Sequence, residues 1–259
     1  VCIQPEEYRQ GILKRLKENP LRDLSCSRTT FKWGVPVPGD DKHVMYVWFD
    51  ALSNYISGIE LLKNGTNAKY WPAQCHIIGK DIIWFHCVIW PCMLMSAGLP
   101  LPKTVFAHGF VQDKCGAKMS KSVGNVVNPN DMLDKYSSDS LRYFLIHQAR
   151  YGHDVKFSES DLIAKNNSEL ADIIGNLVFR ATNMAVKYCD SKVPAESCLD
   201  RPIDVAIMVT TIDVHFALFE LQEACTVVVG GFRQLNAYFT AKEPWKLKGD
   251  DHATDRRMI

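Results

Sequence analysis

Between residues 116 and 129 the chain reads GAKMSKSVGNVVNP, which places Lys118, Ser120, Lys121 and Ser122 within five positions. Two ammonium groups and two hydroxyls at this spacing have two uses. On a solvated surface loop they are simply wet. On a loop that closes over a ligand they form an anion clamp, because positioned cations stabilise the charge that develops on phosphate oxygens. A second chemically capable stretch is IIGKDIIWFHCVIWP, residues 77–91. There Gly79, Lys80 and Asp81 stand where a strand gives way to a helix, a place for backbone N–H groups and a carboxylate to meet a ribose or a phosphate. Ile82, His86 and Trp90 recur at i, i+4 and i+8, a spacing that puts them on one helix face. In YVWFDALSNY, residues 46–55, Trp48 is followed by Ala51 and Tyr55, which share a helix face. Together they could line an apolar slot with one polar rim, or equally be core aromatics. A polarisable, thioether-sized ligand would suit such a pocket.

The elements that must position these groups follow from periodicity. An amphipathic helix is expected over 4–17 and a Pro/Gly/Asp loop over 33–43. VMYVWF, residues 44–49, reads as a short buried strand that ends at Asp50 and feeds a helix over 50–63. CHIIG (75–79) and TVFAHGF (104–110) read as two more strands, with a long apolar helix over 81–96 between them. Strands alternating with helices at this spacing predict a parallel, doubly wound α/β sheet, whose ligands bind beyond the carboxyl ends of the strands. The two-lysine loop falls just past one such end. After Pro129 the pattern becomes helical. Two short helices with Asn and Ser starts precede a turn-and-strand over 153–162 that leads to a cap at Ser158 or Ser160. Helical spacing then runs over 170–188 and again over 203–239, with Gly230-Gly231 as a kink or close-packing point. The expected partition is 1–128 for the partial sheet domain and its loop, 129–160 for connecting helices, and 161–259 for an all-α bundle.

Composition narrows the function classes. With 30 Lys+Arg against 29 Asp+Glu, a polyanion must be met by a local patch and not by a global field. Nine cysteines without a C-x-x-C pair predict reduced thiols in a cytosol-like compartment and no protein-bound metal. The most apolar run, 82–101, is interrupted by His86, Pro91, Ser96 and Gly98, so it predicts a buried helix of a soluble protein and no membrane partner. No G-x-G-x-x-G turn occurs, which argues against a dinucleotide-dependent dehydrogenase. Val1 opening onto a charged helical pattern predicts a piece of something longer.

Taken together, KMSKS (118–122), YVWFDALSNY, HIIGKDIIWFHCVIWP (76–91) and AHGFVQDKCGAKMSKSVGN (107–125) resemble the methionyl-tRNA synthetases, a branch of the class I aminoacyl-tRNA synthetases. The resemblance runs from about residue 24 to 245. It implies ATP-dependent activation of methionine to methionyl-adenylate, with Mg²⁺ accompanying ATP, and transfer to tRNA(Met) in the cytoplasm. It implies that Lys118 and Lys121 clamp the α-phosphate and departing pyrophosphate, with Ser120 and Ser122 shaping the loop. Gly79, Asp81, His108, Gly109 and Phe110 would lie against ATP. Trp48, Ala51, Leu52, Tyr55, Ile82 and His86 would form the methionine pocket. GNLVFRATNMA (175–185) and NAYFTAKEPWKL (236–247) resemble the family's anticodon-binding bundle. Asn176, Arg180 and Trp245 would there read and stack unpaired bases. Read from the residues alone, Arg180 could be a solvated charge and Trp245 a plug between helices. The family's H-x-G-H element is absent, with Lys80 following HIIG, and Thr240 stands where the family often carries an aspartate. The expectation is therefore a carboxyl-side portion, a Rossmann-like half-domain plus an anticodon bundle, inactive without its amino-terminal half. The alternative is a non-catalytic tRNA-binding or scaffold derivative.

Overall fold

Strand β5 (Cys75–Gly79) shows the period-two signature of a half-buried strand. His76 and Ile78 face inward at 5% and 3% exposure, while Ile77 between them is 60% exposed. Strand β6 (Thr104–His108) carries Val105, Phe106 and Ala107, all buried, as expected of a central strand covered on both faces. With β1 (Cys2–Gln4) they form a parallel sheet in the order β1-β6-β5, in which Thr104 is flanked by Cys2 and Cys75. This computed structural model describes residues 1–63, 65–193 and 201–247. It divides into two compact units, Val1–Gly109 and Phe110–Ile259.

In the first unit, helix α1 (Glu6–Glu18) follows β1, and a continuous helical run links β5 to β6. That run comprises a 3₁₀ turn at Lys80–Ile82, a π-helical turn at Phe85–Ile89 and helix α3 (Trp90–Ser96). The wide turn precedes Pro91, whose ring would clash with the carbonyl four residues back in a regular α-helix. The parallel α/β pattern thus holds, but its first strand is not the predicted one. Residues 44–49 do not form a strand of this sheet. Strand β4 (Asp40–Met45) pairs antiparallel with β2 (Ser27–Arg28) and β3 (Pro36–Val37), so the expected loop over 33–43 is largely a hairpin turning at Gly39. Helix α2 (Val47–Ser57) begins two residues later, with Trp48, Phe49 and Asp50 already helical. The reason is burial: helical spacing drives Leu52 to 0% exposure against Trp90 and Leu94, with Trp48, Tyr55 and Ile56 packed around them. That gain outweighs the β propensity of the 44–49 run.

In the second unit, β7 (Val111–Gln112) pairs parallel with β8 (Val155–Lys156). Helices α4 (Pro129–Leu133), α5 (Ser138–His147) and α6 (Glu159–Lys165) start at Asn128, Ser137 and Ser158, whose side chains accept backbone N–H bonds. Their shared core is Met132, Leu141, Phe144, Phe157 and Leu162. A π-helical segment, Asn166–Gly175, runs into α7 (Asn176–Tyr188). The pattern over 203–239 is two helices, α8 (Val205–Ala217) and α9 (Leu221–Lys242), broken where Phe219 takes a φ of 61°. Gly230-Gly231 is no kink. It is a close-packing point, because a Cβ on Gly231 would lie 2.8 Å from Met208 Sδ. Residues 194–200 and 248–259 of the expected bundle, Cys198 included, lie outside the described residues. Among the described residues eight cysteines are free thiols, and no helix is long and apolar enough to cross a membrane.

Candidate active site

The aromatic residues that the sequence spreads over α2, β5 and the π-helical turn meet in one nest of the first unit. Trp48 stacks on Phe85 with ring centroids 4.2 Å apart, and meets His86 edge-on at 6.2 Å. Tyr55 lies 4.3 Å from His76 and 5.7 Å from His86, while Trp90 lies 6.0 Å from Tyr55. Hydrogen bonds fix both imidazole tautomers. His86 Nδ1–H donates to the carbonyl of Ile82 at 3.0 Å, so Nε2 is free to accept the Tyr55 hydroxyl at 2.9 Å. His76 Nε2 accepts the Trp90 indole N–H at 3.4 Å, which leaves its proton on Nδ1. Burial lowers the pKa of both rings; His76, which also feels His86, is brought down to about 4. Burial also raises the Tyr55 phenol. The nest is therefore neutral, polarisable and mostly apolar, with the Tyr55–His86 pair as its polar edge.

Not every predicted member joins it. Ile82 packs toward the sheet with Ile78, Val105 and Ala107, whereas Trp90 joins the nest and also packs with Leu52. The π-helical turn between them adds a residue to the helical period and undoes the shared face expected of 82, 86 and 90. Leu52 sits fully inside the core as support for the nest, and Ala51 is exposed. Phe49, elsewhere on α2, lines a separate cavity of about 580 Å³ with Tyr46, Ile56 and Met93.

The neutral histidines make acid sensitivity an expected property. Below the ordinary histidine pKa of about 6.5 the unfolded chain takes up a proton. The folded His76 refuses it until about pH 4, because burial, and then the neighbouring His86, disfavour the charged ring. Stability from this site is full above about pH 6.5 and is lost as pH falls toward 4. With solvent screening allowed for, the loss is on the order of 2 kcal/mol. Denaturant titrations between pH 7 and pH 4.5 are expected to show this slope in the wild type and a flatter one in His76→Gln. Equal slopes would mean that His76 is not held neutral.

At the end of β5, a Cβ on Gly79 would come within 2.7 Å of Asp81 Oδ1, so only glycine lets that carboxylate lie over the strand end. In the next strand, His108 Nδ1–H donates to the carbonyl of Gly109 at 2.8 Å. The two-lysine loop belongs to the second unit. Met119 packs against the Met132–Phe157 core, so the apolar residue between the lysines anchors the loop while Lys118 and Lys121 stay exposed. Lys118 Nζ lies 5.6 Å from the Phe110 ring centroid, a cation–π contact. Ser120 Oγ and Ser122 Oγ are 3.2 Å apart, and Ser120 receives the N–H groups of Val123 and Gly124 on its carbonyl. Gly124 turns there with a φ of 73°.

In the helical region, Arg180 lies with its guanidinium 4.9 Å from the Phe239 ring and 5.3 Å from the Trp245 ring, and donates to Thr240 Oγ1 at 3.3 Å. Asn176 opens the same helix and is exposed. Trp245 follows buried Pro244 in a 3₁₀ turn.

Comparison with known proteins gives the family. The family model described as tRNA synthetases class I (M) matches residues 3–182. The chain belongs to the class I (M) tRNA synthetases. Among curated relatives of this synthetase chain, the methionine–tRNA ligase of Rhizobium meliloti is 44% identical over 96% of the chain. That of Rickettsia conorii is 40% identical over 96%. A solved structure of Mycobacterium tuberculosis methionyl-tRNA synthetase in complex with methionyl-adenylate is 37% identical, covers 99% of the chain and superposes with a TM-score of 0.91. The apo form of that enzyme gives 34% and 0.87 over 99%. The chain spans about half the length of these proteins: 49% and 50% of the two relatives and 52% of the solved chains.

Sequence reasoning passed over several residues that the synthetase fold gathers. His76 and Phe85 complete the nest; the first was legible as an inward position of the β5 alternation, the second was not, because the π-helical turn rotates it. Asp113 and Asn125 bracket the two-lysine loop, and each is a residue type that caps turns with its side chain. Among the described residues no group of three or more His, Cys, Asp or Glu side chains could hold a metal ion.

Proposed function

We propose that this chain is the carboxyl-side portion of a methionine–tRNA ligase. The enzyme activates methionine with ATP, carried as its Mg²⁺ complex, to methionyl-adenylate and pyrophosphate, then esterifies tRNA(Met), in the cytoplasm. Family membership and relatives named as methionine–tRNA ligases support this reading. The observation that carries it is the convergence of Trp48, Tyr55 and His86 into a neutral aromatic nest, the chemistry that favours a thioether over charged or polar side chains.

In this reading the methionine side chain is taken by Trp48, Tyr55 and His86, with Ala51 and Ile82 at its margins and Leu52 as support. Gly79, Asp81, His108, Gly109 and Phe110 contact ATP. Lys118 and Lys121, with Ser120 shaping their loop, stabilise charge on the α-phosphate and pyrophosphate. Asn176, Arg180 and Trp245 read the anticodon. Residues 1–128, 129–160 and 161–259 divide into partial catalytic domain, connector and anticodon bundle. Catalysis requires the amino-terminal half, in the same or a separate chain. The test is thermal unfolding with a non-hydrolysable methionyl-adenylate mimic. At a hundredfold excess over Kd a shift of about 5 °C or more is expected, abolished by Trp48→Ala or His86→Ala. No shift, with tRNA binding retained, would identify a non-catalytic tRNA-binding scaffold instead.

A further inference from the structure

We propose that Asp113 and Asn125 are a positioning pair that clasps the two-lysine loop and holds the backbone of Lys118 and Lys121 in the geometry the phosphates need. The inference deepens the reading of Lys118 and Lys121 as phosphate ligands and rests on it. Asp113 Oδ1 accepts the backbone N–H groups of Cys115 at 2.9 Å and Ala117 at 2.8 Å. Its Oδ2 accepts Asn125 Nδ2–H at 2.9 Å. Asn125 Oδ1 in turn accepts the N–H of Ser120 at 2.9 Å, and its Nδ2 also donates to the carbonyl of Lys118 at 3.2 Å. One amide therefore ties the backbone on both sides of Met119, and one carboxylate ties that amide to the start of the loop.

Bonds from Asp113 to residues two and four positions on are local turn chemistry. The bond to Asn125 is different, because it crosses the whole loop and closes it. With Met119 in the core and the clasp across the base, the backbone is held while both lysine side chains stay exposed. Asp113 is held below the ordinary aspartate pKa, first by Asn125 and then by the N–H of Ala117, so the clasp carries its acceptor charge at neutral pH. Without it, the loop must be ordered at each turnover, and the lysines meet the phosphates out of register.

The test is methionine-dependent ATP–pyrophosphate exchange in the complete synthetase, with the amino-terminal half supplied. Asn125→Ala is expected to lower kcat roughly a hundredfold, the scale of an ångström misplacement, with the KM for methionine nearly unchanged. Asn125→Asp, which sets two carboxylates against each other, is expected to be at least as damaging. Combining it with Asp113→Asn restores a donor facing an acceptor across the gap, though not the bond to the Lys118 carbonyl, and activity is expected to recover about tenfold over Asn125→Asp alone. Amide exchange reports the clasp directly: the Ser120 N–H, which Asn125 Oδ1 accepts, is expected to be protected in the wild type and in the double exchange, and unprotected in Asn125→Ala. Wild-type kcat in Asn125→Ala, a double exchange no better than Asn125→Asp, or an unprotected Ser120 amide in the wild type would each overturn the proposal while leaving the ligase reading intact. A wild-type enzyme with no exchange activity would overturn the ligase reading, and this proposal with it.

Discussion

In the complete synthetase, Lys121→Ala is expected to slow methionine-dependent ATP–pyrophosphate exchange by roughly a hundred- to a thousandfold, the range for removing one preorganised group that meets developing charge. Methionine affinity, measured at equilibrium, is expected to change little. The split follows from when the lysine acts. In the proposed reaction methionine's carboxylate attacks the α-phosphate, and negative charge grows on the phosphate oxygens and the departing pyrophosphate only as the bond forms. An ammonium that meets this late charge lowers the barrier without tightening the ground state. Lys121 is exposed on a loop whose backbone is pinned by Met119, Asn125 and the turn at Gly124, so its reach is defined while its stem is free. Lys121→Arg keeps the charge but replaces a point donor with a planar fork, and is expected to recover activity only in part. A loss of methionine affinity as large as the loss of exchange rate would remove Lys121 from the transition state.

What the sequence disclosed, and what it hid, divides along physical lines. Local chemistry was readable. The caps at Asn128, Ser137 and Ser158 satisfy backbone donors within three residues, and all three helices begin there. The strands at 75–79 and 104–108 were readable because burial imprints them. The 44–49 run was not, because its β-branched and aromatic residues favour a strand, and that preference was overridden by Leu52 finding Trp90 and Leu94. Strand β1, three residues at the sheet edge, has too little pattern to see. The break at Phe219 depends on one residue accepting a left-handed conformation that its type does not favour. The nest was half visible. Trp48, Tyr55 and His86 belong to recognisable blocks, but His76 enters from another strand, and the π-helical turn that aims His86 at Tyr55 leaves no mark in a period-3.6 reading.

The helical region carries the second large expectation: Trp245→Ala is expected to weaken binding of tRNA(Met) by one to two orders of magnitude, with methionine activation unchanged. The indole is 37% exposed, and its ring centroid lies 6.0 Å from that of Phe239. A buried Pro244, preceded by Glu243 at a φ of 44°, fixes the turn that presents it. An open indole face stacks an unpaired base for about 1–3 kcal/mol, which sets the size of the loss. Arg180 adds to this because Phe239, Trp245 and Thr240, its partners among the described residues, are neutral. Two ring faces and the Thr240 hydroxyl orient the guanidinium without cancelling its charge, so it remains available to a base edge or a phosphate. Arg180→Lys keeps the charge but loses the planar fork and its stacking, so binding is expected to fall nearly as far as in Arg180→Ala. Filter-binding titrations over a range of salt separate the two contributions. Removing Arg180 reduces the salt dependence, whereas removing Trp245 leaves it unchanged. If Trp245→Ala instead lowered the melting temperature and left tRNA affinity intact, the indole would be a plug between helices and the anticodon would be read elsewhere.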